Sequence, residues 1–291
     1  MAAPVLVPPP AVQLKNILYA TDFSKGSMHA LPYVQAIAKA FSSAVYICHI
    51  LARAPLAAGA AAPQLYEAAG KQACDQLAAL LHSPPLAGLD GKLVLAEGAV
   101  DDELLRIIEE NKIDLVVAGT HGRTGLRKLL MGSVVETICR VATCPILTVG
   151  PELQIQVKDR FQRILFPTDL SNESAKIVPC LAVLARKWGS SLTVLHVIPE
   201  EAGVNPDAKV LSEPIRRRMM QTFQPSLAAF SPEFIIEFGG TTETILRIAQ
   251  EKNAGLVGMG IRNAFVPGIQ LLSSTAYRII AAAHCPVLTC R

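Results

Sequence analysis

Two short segments hold the polar residues and glycines that could bind or act on a ligand. One is Thr21-Asp22, which directly follows the apolar run Asn16 to Ala20. The other runs from Gly119 through Thr120, His121, Gly122, Arg123, Thr124 and Gly125 to Gly132-Ser133. Glycines so placed let backbone N–H groups approach a phosphate without hindrance from a Cβ. Gly132-Ser133 opens an amphipathic run, and a helix starting there would aim unpaired N–H groups and its positive dipole end at an anion. Arg123, Arg127 and Lys128 add positive charge nearby. Taken singly, the glycines could equally well serve tight turns.

The elements that would position these residues alternate along the chain. Strands are expected near residues 16–20, 45–50, 92–96, 114–118 and 145–149, and helices near 25–41, 64–82, 100–111 and 132–142. Ser24 and Asp101 stand where N-caps belong. Strand–helix alternation with short aliphatic strands implies an open parallel sheet covered by helices on both faces. Where such a sheet reverses its strand order, the loops after the strands open a ligand crevice, and both segments above are loops of that kind.

The pattern then occurs a second time. Lys15 to Ser24 reads again as Arg163 to Ser171, with Asp22 falling on Asp169 at an offset of 147, and His49 on His196. Beyond Lys92 the offset is 141, so that Cys144-Pro145 falls on Cys285-Pro286. Six residues are therefore missing from the second copy between the counterparts of Ile50 and Lys92, where the first carries the Ala-rich stretch Ala52 to Ala62. The expected architecture is α/β, with two tandem open parallel five-stranded sheets of Rossmann-like form in domains 12–150 and 160–291. Both copies end in an apolar strand directly after Cys-Pro. Such an edge needs a partner, so the two halves, or two chains, are expected to meet there.

The spacing Gly119-x2-Gly122-x9-Gly132-Ser133, with Thr-Asp at the end of the first strand, resembles the signature of ATP-binding universal stress proteins. The resemblance extends over nearly the whole chain, twice. It implies an adenine-nucleotide α-hydrolase-like fold and an ATP site, with a divalent metal such as Mg bridging the phosphates. By this match Thr21, Asp22 and Ile50 belong to the adenine–ribose end and Gly119 lies by the ribose. Gly122, Gly132, Ser133 and Val134 would hold the phosphates, with Arg123 beside them. In the second copy Gly119 recurs as Gly260 and Ser133 as Ser274, but Gly122 becomes Asn263 and Gly132 becomes Ser273. Arg127 and Lys128 fall on Gly268 and Ile269, so that half is expected to bind ATP weakly or not at all.

Composition excludes several classes. The net charge of +3 is too small to drive nucleic-acid binding, and Arg216, Arg217 and Arg218 are expected to form a solvated helix face. No apolar stretch approaches the roughly 18 residues that span a bilayer. The Pro-rich start, with no basic residue before Lys15, lacks the features of a signal peptide. Seven cysteines without a Cys-x-x-Cys pair fit buried thiols in a reducing cytoplasm. His49 and His196 each end an apolar strand and are expected to be packed or hydrogen-bonded. No nucleophile elbow, Walker sequence or paired carboxylates mark a dedicated catalytic site. A nucleotide-responsive regulator of stress response is the leading expectation. A slow ATPase and a scaffold that binds no nucleotide stand as alternatives.

Overall fold

A computed structural model describes residues 12–52, 62–120, 132–150, 161–199, 208–261, 263–266 and 269–291. In the first half β1 (Asn16–Ala20) leads through α1 (Lys25–Met28) and α2 (Leu31–Phe41) into β2 (Ala44–Leu51). Then follow α3 (Ala62–Leu81), β3 (Gly91–Glu97), α4 (Val100–Glu110), β4 (Leu115–Gly119), α5 (Ser133–Val141) and β5 (Ile146–Val149). The second half repeats this with β6 (Arg163–Pro167), α6 (Asn172–Ala175), α7 (Val178–Trp188), β7 (Ser191–Ile198) and α8 (Ala208–Leu227). It continues through β8 (Glu233–Phe238), α9 (Thr241–Glu251), β9 (Leu256–Gly260), β10 (Asn263–Val266), β11 (Ile269–Leu272), α10 (Ser274–Ala282) and β12 (Val287–Cys290).

The expected single helix over 25–41 is broken in two. Pro32 sits in the first turn of α2 and has no N–H to give the carbonyl four residues back, so the helical ladder cannot run through. Pro179 does the same in the second half, between α6 and α7. Ser24 does cap α1, accepting from Ser27 N, whereas Asp101 is not a cap. The N-cap position of α4 is Ala99, and Asp101 lies within the first turn beside Asp102 and Glu103, where negative charge suits the helix dipole.

The five strands of each half pair in parallel and follow the same order, so the two expected sheets are present. They are also fused. Ten strands run β3-β2-β1-β4-β5-β12-β9-β6-β7-β8, and the join is the antiparallel pair β5–β12. Leu147 faces Leu288 in that register, and these are equivalent positions of the repeat. Thr148 Oγ1 also donates to the Val287 carbonyl across the join. The apolar ends of both copies thus satisfy one another within the chain. A pseudo-twofold axis at this pair also brings the equivalent residues Phe41 and Trp188 edge to face, with ring centroids 5.7 Å apart. Each face of the sheet carries one apolar core running through both halves.

Of the six missing residues, one falls in the Ala-rich stretch, where residues 52–61 join β2 to α3 but 199–207 join β7 to α8. α3 and α8 are both 20 residues long, and Ala73 and Leu77 take the same buried places as Met219 and Phe223. The other five lie after the helix, where residues 82–91 lead from α3 to Lys92 but only 228–232 lead from α8 to its counterpart Glu233. The basic cluster on α8 is also not uniformly solvated. Arg216 Nη1 donates to the Phe234 carbonyl at 2.7 Å on β8, an edge strand.

Candidate functional site

The strand order reverses at β1, which lies between β2 and β4. The carboxyl ends of β1 and β4 therefore open onto the crevice expected of a doubly wound sheet. A cavity of about 240 Å³ occupies it. Thr21, Asp22, Ile50, Gly119, Gly132, Ser133 and Val134 all line this cavity. Gly122 and Arg123, with His121, Arg127 and Lys128, lie outside the described residues.

One wall is built by a tightly wired turn after β1. Thr21 is buried, its N–H donates to the Cys48 carbonyl at 2.9 Å, and its Oγ1 is 3.0 Å from Ser27 Oγ. The same Oγ1 accepts from Phe23 N, which supports a positive φ of 60° at Phe23. Asp22 Oδ1 accepts from Ser24 N at 3.0 Å. Burial pushes the Asp22 carboxyl up, but hydrogen bonds from Ser24 and Ser27 outweigh it and hold the group below the usual carboxylate value. At neutral pH this wall presents an anion, which suits hydroxyl and amino donors and repels phosphate. His49 Nδ1 lies 2.7 Å from the Thr21 carbonyl, so Nδ1 carries the proton and the ring braces the turn.

The opposite wall is the start of α5. Gly132 is its N-cap, with extended backbone and no side-chain cap, so the first-turn N–H groups of Ser133, Val134 and Val135 meet the cavity with no side chain of the cap residue in the way. Gly132 N itself donates to the Thr120 carbonyl at 2.9 Å. That bond holds Thr120, directly after β4, against Gly132 at the start of α5. Gly132 therefore serves as an unobstructed cap, while its own N–H is already engaged.

Gly119 has a packing reason for being glycine. A Cβ there would lie 2.2 Å from the Gly26 carbonyl oxygen of α1, closer than any side chain can sit. Gly260 has the same constraint against the Glu173 carbonyl oxygen, at 2.1 Å. Retention of this glycine in both halves is thus explained by helix–strand packing alone.

The motif did not reveal the apolar floor. Cys48, Val100, Leu104, Ala118, Val135 and Ile138 line the cavity between the two polar walls. The buried face of α4 was the available signal, since Leu104 sits on its periodic apolar stripe. Burial pushes the Cys48 thiol up to about 12, so it is a neutral wall group and not a nucleophile.

The second half keeps the first wall and alters the other. Thr168 Oγ1 meets Ser174 Oγ at 2.8 Å, Asp169 Oδ1 accepts from Ser171 N, and His196 Nδ1 contacts the Thr168 carbonyl at 2.8 Å. At the phosphate end, Ser273 caps α10 with its own side chain, accepting from Ala276 N at 3.3 Å. In place of a glycine-rich loop, β10 and β11 form an antiparallel ribbon pairing Val266 with Ile269. This ribbon was not expected, although Pro267-Gly268 between apolar runs is a hairpin signal.

Two fused doubly wound halves, one with an open switch-point cavity, define an adenine-nucleotide α-hydrolase-like fold. The sequence pattern of the universal stress protein family matches residues 13–150 and again 160–291, and the chain belongs to that family. It is similar to universal stress protein MJ0531 of Methanocaldococcus jannaschii, at 30% identity over 46% of this chain and 81% of that protein. It is also similar to MJ0577 of the same organism, at 25% identity over 48% of this chain and 96% of that protein. A universal stress protein structure from Archaeoglobus fulgidus superposes on 96% of this chain and 99% of its own, with TM-score 0.72 and 21% identity, a likeness of fold. Among the described residues no helix is long and apolar enough to cross a membrane, and no group of three or more His, Cys, Asp or Glu could hold a metal.

Proposed function

We propose that the chain is an ATP-binding universal stress protein, with one nucleotide held by the first half and the second half acting as its structural partner. The carrying observation is the cavity between Asp22 and the start of α5. Its anionic wall suits ribose hydroxyls or the adenine amino group. Its apolar floor suits the base, and its helix N-terminus suits phosphate. At about 240 Å³ the cavity lies just below the ~300 Å³ at which small-molecule sites begin, so it fits the nucleoside part of the ligand. The triphosphate would lie at the α5 end, with Gly122 and Arg123 as the further phosphate contacts that the family motif implies. Mg would be carried by the phosphate oxygens. In the second half, the Ser273 cap and the β10–β11 ribbon oppose phosphate binding.

Function then follows from occupancy as regulation, in which bound ATP changes a surface read by a protein partner. Buried neutral thiols at Cys48, Cys139 and Cys285 support a reducing, cytoplasmic setting. The test is nucleotide content after gentle purification, read by mass spectrometry, in the parent and a Gly122→Ala, Gly132→Ala variant. ATP on the parent and none on the variant is expected. An empty parent with no thermal shift on adding Mg-ATP would sink the proposal.

A further inference from the structure

We infer that Arg291, supplied by the second half, is a positioning residue for the ligand site of the first; the inference rests on the nucleotide reading above. Arg291 directly follows β12, and its Nη1 donates to the carbonyl of Arg140 in the last turn of α5. Carbonyls of a last turn have no donor within their own helix, and a cation there complements the dipole. The Arg140 guanidinium in turn reaches Asp101 of α4 at 3.7 Å, tying α5 to the helix that supplies Val100 and Leu104 to the cavity floor. β11 lies alongside the same α5. The second half therefore holds α5 along its flank and at its C-terminus, while the opposite end faces the cavity.

The clasp runs in one direction only. At the 141 offset Arg291 corresponds to Gly150 and Arg140 to Ala281, and Gly150 has no side chain with which to return the contact. It acts on the helix whose N-cap residue, Gly132, has no side chain to cap it, and among the described residues α10, which Ser273 caps, shows no such contact. Fixing the far end of α5 fixes where its first-turn N–H groups point. The effect should be felt by the phosphates and not by the nucleoside.

The full-length parent, Arg291→Ala and Arg291→Lys are compared by calorimetry with Mg-ATP and, by competition, with adenosine. Arg291→Ala should weaken Mg-ATP by about three- to fivefold and leave adenosine unchanged, with Arg291→Lys recovering most of the loss. Equal Mg-ATP affinity in parent and Arg291→Ala overturns the inference alone. So does an equal loss for both ligands, which marks a merely structural role. A parent that binds neither ligand overturns the nucleotide reading, and this inference with it.

Discussion

Gly119 and Gly132 of the motif do different work, and substitution should separate them. Gly119→Ala places a Cβ against the Gly26 carbonyl, so α1 must shift, at a cost of about 1–3 kcal/mol whether or not ligand is present. Gly260→Ala should cost a similar amount through Glu173, although its half has lost the other two glycines of the motif. Urea unfolding checks both, and equal stability of either variant to the parent would refute the packing account. Gly132 has backbone angles that alanine also adopts, so Gly132→Ala should cost only the cap difference, about 1 kcal/mol, while weakening ATP. Asp22 carries a pH signature. Its carboxyl is held below the usual value, so its stabilisation is complete above the unfolded pKa of about 4 and fades as pH falls through the folded value. Asp22→Asn should therefore be less stable than the parent at neutral pH, with the gap closing in acid. A gap that persists unchanged at low pH would contradict the hydrogen-bonded carboxylate.

The helix starts at the two sites differ, and substitution should show what that difference does. Ser273→Ala removes the side chain capping α10 and should destabilise by about 1 kcal/mol, whereas Ser273→Gly should cost only a few tenths. With Asn263→Gly added, any ATP binding gained should be partial, because Gly268 and Ile269 stand where the first half has Arg127 and Lys128. Calorimetry on the variants measures this, and a second site of parental affinity would contradict it. Element types and order were legible from period and spacing, because aliphatic strands and one-faced helices leave strong patterns in both copies. Pro32 and Pro179 were visible too, but the apolar stripe running across them suggested one helix where the missing N–H makes two. The site's polar walls were readable because Thr21, Asp22 and Gly132 have distinctive types. Its floor was hidden, since Leu104 and Ile138 look in sequence like any other core residues. The β10–β11 ribbon was obscured by alignment to a glycine loop of the same length but different chemistry.

At the scale of the molecule, the β5–β12 join makes one sheet and two continuous cores from two copies. Leu147 and Leu288 are each 1% exposed at the centre of that join. Leu288→Ala should cost about 2–5 kcal/mol and lower the unfolding midpoint of both halves together. Trp188, the single tryptophan, packs against Phe41 across the pseudo-twofold and reports the contact. Its fluorescence should therefore change in the same transition as the far-ultraviolet dichroism. Two separated transitions would mean that the halves fold independently. The cavity of the first half and the Ser273 cap of the second together set the expected ligand count. Titration of the nucleotide-free, full-length protein with Mg-ATP should give one site per chain, lost in Gly122→Ala, Gly132→Ala and retained in Ser273→Ala. Two sites per chain, or none, would contradict the assignment of nucleotide binding to the first half.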